Sequence, residues 1–178
     1  MAAKTPLERV QESDRPLERI MLQLPGFRGY KVREERREAD RIVRDYTYRA
    51  LKGARDDLMG CFQLLSNAGT PELMEPTNQL IAKLDRVAEK VNRASYGYSG
   101  FFDSVRIEAP QLDQMVAYDT QMIEAARKLA DSISSFKMQL SQGKFEDTRN
   151  VESGLGTSIL QLEATFDKRK QVIEGVAV

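Results

Sequence analysis

Apolar residues recur every three or four positions along four long stretches of the chain, the spacing that gathers them on one side of an α-helix. In the first, Ala39, Val43, Tyr46, Ala50, Ala54, Leu58, Cys61 and Leu65 form the stripe, with Ile42, Phe62 and Leu64 beside it. This predicts a helix over 33–66, stopped by Asn67-Ala68-Gly69. Thr70-Pro71 then reads as N-cap and first helical position of a second helix. Its stripe, Leu73, Thr77, Leu80, Leu84, Val87 and Val91, alternates steps of four and three in a strict seven-residue repeat of coiled-coil type. A third helix begins near Pro110 and carries Leu112, Met115, Asp119, Met122, Ala126, Leu129, Ile133, Phe136 and Leu140 before Gly143 ends it. A fourth spans 146–174 with Val151, Leu155, Ile159, Leu162, Phe166 and Ile173 inward. Gly154 and Gly156 weaken its first turns.

The first and second helices, and the third and fourth, are joined by only a few residues, so each pair runs antiparallel. The expected fold is all-α: an antiparallel up-down four-helix bundle preceded by an N-terminal arm of short helices. The arm and a glycine-aromatic loop occupy 1–30, the bundle 31–178, and the whole forms one structural domain. Within the arm, Thr5-Pro6-Leu7-Glu8 matches a capping box, and Asp14-Arg15-Pro16-Leu17-Glu18 nearly repeats it. Two short helices with Leu7, Val10, Leu17, Ile20, Met21 and Leu24 on one side follow from this.

The up-down order brings the segment before the first helix and the long linker 95–109 to the same end of the bundle. Both carry glycine, aromatic, any residue, glycine, aromatic: Gly26-Phe27-Arg28-Gly29-Tyr30 and Gly97-Tyr98-Ser99-Gly100-Phe101, the latter followed by Phe102. Glycines allow sharp turns, and aromatic rings offer large contact area at low entropic cost. Phe27, Arg28, Tyr30, Tyr98, Phe101 and Phe102 are therefore the candidate partner-binding residues. The competing reading is a plug that closes the apolar end of the bundle.

Composition narrows the chemistry. The 178 residues hold no His, removing the commonest general base and the commonest transition-metal ligand. With a single Cys, Cys61, neither an internal disulfide nor a Cys-based zinc site can form. Di-iron bundles need Glu-x-x-His pairs that this chain lacks. Asp119 lies on an inward stripe and calls for an Arg or Tyr across the bundle; Cys61 lies on another and reads as an inert core thiol. Net charge is zero, which argues against nucleic acid. Its distribution is uneven: 26–55 carries ten basic against five acidic residues, and 108–135 five acidic against two basic. The basic run around Arg37, Arg41 and Arg44 reads as a solvated helix face with pairs such as Arg41 and Asp45 four apart. No apolar stretch approaches the roughly 20 residues of a membrane span. Because MAAKTPLERV lacks the apolar block of a signal peptide, the expected location is the cytoplasm.

Leu24-Pro25-Gly26-Phe27-Arg28-Gly29-Tyr30, the following Arg-Glu-Glu-Arg-Arg-Glu-Ala-Asp run and Tyr96-Gly97-Tyr98-Ser99-Gly100-Phe101-Phe102-Asp103 together resemble a group of uncharacterised bacterial helical-bundle proteins. The organisation, an amphipathic segment before long helices, is also similar to coiled-coil proteins of the bacterial envelope-stress response. The resemblance implies a bacterial origin and no particular activity. The functional expectation is a non-enzymatic interaction or scaffold protein without a cofactor, engaging a protein partner or itself. The alternatives are a peripheral membrane or envelope-stress helper, for which the mixed charge of the arm is unsuited, and a carboxylate enzyme using a metal such as Mg²⁺.

Overall fold

The computed structural model describes residues 34–94 and 109–173. Four helices account for them: α1 Glu34–Asn67, α2 Pro71–Arg93, α3 Ala109–Ser141 and α4 Thr148–Ile173. The N-terminal arm lies outside the described residues, as do the six glycine-aromatic candidates.

Both hairpin turns are built on one device. After α1, Thr70 N–H bonds the Leu65 carbonyl and Gly69 N–H that of Ser66. After α3, Lys144 N–H bonds Gln139 and Gly143 N–H bonds Leu140 in the same pattern. These are Schellman motifs, which satisfy the last carbonyls of a helix by turning one residue left-handed. Gly69 has φ 70° and Gly143 φ 72°, conformations open to residues without a Cβ. Thr70 and Pro71 take the expected N-cap and first helical positions, but the Thr70 side chain does not cap α2. Its hydroxyl makes no bond to α2 and instead donates to the Leu65 carbonyl at 3.0 Å, sealing the end of α1.

The four helices alternate up and down. Lys52 meets Asp85 and Tyr48 meets Glu89, so α1 and α2 are antiparallel. Asp119 meets Arg169, so α3 and α4 are antiparallel too. The hairpins then pack side by side, α1 against α3 and α2 against α4. Lys137 with Asp57 joins α3 to α1, while Thr77 with Glu152 and Arg86 with Glu163 join α2 to α4. Residue numbers rise together across both seams, so these neighbours run parallel. α2 and α3, consecutive in sequence, occupy diagonal corners.

The core is a stack of seven-residue repeats. On α2 the six expected positions are buried, joined by Ala88. On α3 the buried positions run Asp119, Met122, Ala126, Leu129, Ile133, Phe136, Leu140, with Ile123 added. Two stripes are corrected by the structure. In lower α1, Val43 is buried as expected, but Tyr46 and Ala50 are only half-buried, and Arg44, Thr47 and Leu51 join it on the inward side. On α4, Val151 is half-buried, while Thr148, Glu152 and Arg169 are buried. The corrected stripes, 44-47-51-54-58-61-65 and 148-152-155-159-162-166-169, keep the alternation of three and four without a break. Arg44, expected on a solvated face, is only 6% exposed. Despite its glycines, α4 is continuous from Thr148 to Ile173.

Candidate functional site

Among the described residues seven polar ones are buried, Arg44, Thr47, Thr77, Asp119, Thr148, Glu152 and Arg169, and all occupy repeat positions. Between them the repeats are apolar. Arg44, Thr47, Asp119 and Arg169 lie toward the end where α1 and α3 begin, the lower end. Thr77, Thr148 and Glu152 lie toward the hairpin turns, the upper end.

At the lower end, Arg169 is completely buried and its Nε donates to Oδ1 of Asp119, whose side chain is 9% exposed. The expected partner for Asp119 is thus found, an arginine across the α3–α4 seam. Desolvating two charges costs several kcal/mol each, which only a close pair offsets. Arg169 escapes an apolar-only reading because Lys168-Arg169-Lys170 looks like a solvated basic run. The spacing Leu162, Phe166, Arg169 was the available signal. Thr47 turns its hydroxyl back to the Val43 carbonyl at 2.8 Å, which spares a buried donor any need for a partner helix.

At the upper end, Glu152 is 4% exposed and its Oε1 bonds the Thr77 hydroxyl. That hydroxyl also lies 3.2 Å from the Leu73 carbonyl. Oε2 of Glu152 is buried without a hydrogen-bond partner, as is the Thr148 hydroxyl. Burial pushes the Glu152 carboxyl above the ordinary carboxylate range, against the opposing pull of Thr77 and Arg149. The Cys61 thiol, fully buried on α1, is pushed up to about 12, chiefly by burial, with Asp57 and Glu152 adding to it and Lys137 opposing. At ordinary pH it is a protonated, unreactive core thiol, as its stripe position suggested.

The seams carry a second layer of charge. Lys52 and Arg55 of α1 reach Asp85 of α2, and Lys52 also lies 3.9 Å from Glu89. On the other side of α2, Arg86 grips both oxygens of Glu163 at 2.9 Å, and Lys90 bonds both Glu163 and Asp167 of α4. Burial acts to raise the Glu163 carboxyl, but the bonds from Lys90 and Arg86 outweigh it and hold the group below its ordinary value. Part of the basic excess of α1 is thus met by α2, not by the acidic run of α3.

Among the described residues, shallow grooves run along three of the seams. The α1–α3 groove, about 620 Å³, contains Gly60, Leu64 and Met138, the last 57% exposed. The α2–α4 groove, about 380 Å³, is bordered by Pro76, Leu80, Lys83, Arg149 and Glu152. The third, about 360 Å³ between α3 and α4, is edged by side chains such as Glu124, Lys128 and Gln161. Among the described residues no group of three or more His, Cys, Asp or Glu stands close enough to hold a metal ion. The two carboxylates buried among the described residues sit at opposite ends: Asp119 is level with Arg169, seventeen residues along α4 from Glu152, or about 25 Å at 1.5 Å per residue. They cannot share one ion. No described helix is long and apolar enough to cross a membrane.

The helix directions bear on the glycine-aromatic segments only through their attachment points. The first residue of α1, the last of α2 and the first of α3 all lie at the lower end. Gly26–Tyr30 precedes Glu34 by a few residues, and Gly97–Phe102 follows Arg93 by a few. Compared with known protein families, curated proteins and solved structures, the chain shows no match.

Proposed function

We propose that the chain is a non-enzymatic interaction or scaffold protein whose partner surface is the lower end of the bundle. The observation that carries this reading is the common end from which both glycine-aromatic segments depart. Two copies of one unusual motif, separated by about seventy residues of sequence, are attached to neighbouring helix ends. Phe27, Tyr30, Tyr98, Phe101 and Phe102 supply aromatic contact area there, and Arg28 a planar cation suited to carboxylates. The buried polar groups support the same reading. Asp119 with Arg169 and Thr77 with Glu152 tie helix to helix inside the bundle, a structural use of polar chemistry.

The partner is a protein or a second copy of the chain. The test is recovery of a stable complex from cells that make the chain naturally, using the full-length protein and its Phe27→Ala and Tyr98→Ala variants. The expected result is one complex, lost in either variant while helical content and unfolding midpoint stay those of the parent. A complex that survives both substitutions, or loss explained by unfolding, would overturn the assignment.

A further inference from the structure

We propose that the Thr77–Glu152 contact is a proton-operated latch on the upper α2–α4 seam, closed while Glu152 carries its proton and released when it loses it.

A threonine hydroxyl has one proton to give. Thr77 Oγ1 lies within bonding distance of two acceptors, the Leu73 carbonyl and Glu152 Oε1. Both contacts are satisfied without sharing that one proton when Thr77 donates to Leu73 and the neutral acid of Glu152 donates to Thr77. Ionised, Glu152 would draw the single Thr77 proton away from Leu73. It would also leave a charged Oε2 buried with no donor. A neutral carbonyl oxygen tolerates that position far better than a carboxylate oxygen does.

The surroundings do not rescue the anion. Arg149 on the same helix and Lys83 on α2 border the adjoining groove, and neither makes the bond that Oε2 lacks. From α1 the facing group is the Cys61 thiol, which is itself uncharged. Lys137, from α3, spends its charge on Asp57 at 2.7 Å. The backbone is weak at the same level. Pro76 stands inside α2 next to Thr77 and has no N–H for the Glu72 carbonyl. Gly154 and Gly156 follow Glu152 on α4. Of the four seams this one is the sparsest, and its charge network lies lower, at Arg86 and Lys90. An ionised Glu152 therefore reaches water most easily by parting the upper turns of α2 from α4, with the groove as the way in.

The test is hydrogen exchange on the full chain from pH 5 to 9, corrected for the intrinsic pH dependence of exchange. Amides of 73–82 and 152–158 report the upper seam, and those of 86–91 and 159–167 the lower. Linkage lets the upper-seam opening equilibrium rise by up to about tenfold per pH unit between the ordinary carboxylate value and that of Glu152. The lower seam stays flat over the same range. In Glu152→Gln, which is neutral at every pH, the upper-seam rise disappears. A rise that persists in Glu152→Gln, or a flat profile in the parent chain, would overturn the latch. The carboxyl-carbon NMR titration of Glu152 in the parent chain needs no variant. A midpoint at the ordinary glutamate value sinks the idea, and one displaced upward supports it.

Discussion

Replacing Arg169 with methionine leaves Asp119 in the core without the guanidinium that faces it, and this is the costliest single polar change expected here. Breaking a buried pair on one side costs about 3–5 kcal/mol, because the surviving charge stays desolvated. Arg169→Met should lower unfolding stability in urea by that amount. The double variant Asp119→Leu/Arg169→Met should recover most of the loss, since neither member of the pair is left behind without the other. Equal losses in the single and double variants would argue that Arg169 acts through packing. Cys61 makes a different prediction at the same scale. Its thiol is buried and protonated, so a dithiodipyridine reagent, used at a pH low enough for Glu152 to keep its proton, should leave the native chain unmodified over hours and modify it fully in denaturant. Prompt modification of the native chain would mean that the upper core opens far more readily than its packing implies.

At the scale of elements, the hairpin turns were legible because their chemistry is local. Gly69 and Gly143 end their helices in the left-handed conformation, and a Cβ there costs about 1–2 kcal/mol. Gly69→Ala and Gly143→Ala should each lower the unfolding free energy by about 1 kcal/mol with no loss of helical circular dichroism. The α2 stripe was legible for a related reason: its repeat is apolar apart from Thr77. Where polar residues occupy repeat positions, an apolar-only reading slides to the nearest hydrophobic neighbour. It took Tyr46 and Ala50 in place of Thr47 and Leu51, and Val151 in place of Glu152. The regular alternation of three and four distinguishes the correct face even when its occupants are arginine or glutamate. Asp119 was placed correctly because the alternation of three and four that runs from Leu112 to Leu140 falls on it and not on its neighbour Tyr118. The partner-binding candidates lie outside the described residues, so of that site only the shared end of its attachment points is visible.

Which helices become neighbours was not legible from periodicity, because all four stripes are alike. Charge on the flanks separates them. α2 presents Asp85 and Glu89 toward Lys52 and Arg55 of α1, and Arg86 and Lys90 toward Glu163 and Asp167 of α4. Adjacent residues of opposite sign thus point to opposite seams. Exposed pairs contribute little each, but wrong pairings set like charges together, and that repulsion selects the partner. Reversing one seam with Arg86→Glu/Lys90→Glu should lower the melting temperature by several degrees. Adding Glu163→Lys/Asp167→Lys should restore most of it, whereas the same second pair in the parent background should be as damaging as the first. Absence of rescue would mean that the ring order is set by core shape alone.

For the molecule as a whole, the two glutamates of the α2–α4 seam should give stability opposite pH limbs. Glu163 is held below its ordinary value by Lys90 and Arg86. Its contribution is complete above the ordinary glutamate value, about 4.3, and is lost as pH falls through the lower value of the folded state. Glu152 is raised by burial, so its contribution is complete below the ordinary value and is lost as pH rises through the higher value of the folded state. The first limb belongs to the lower half of the seam and the second to the upper half, which makes them separable by substitution. At pH 7, Glu163→Gln should cost about 1–2 kcal/mol, because it removes a charge-assisted clamp whose acceptor side chain is only 13% exposed. That cost should shrink toward zero in acid, where the parent carboxyl is neutral as well. Glu152→Gln should leave the acid limb intact and flatten the decline above it. Urea unfolding of the parent and both variants across pH 3 to 9 measures all of this in one series. If Glu163→Gln costs as much in acid as at pH 7, the seam is held there by shape and not by charge.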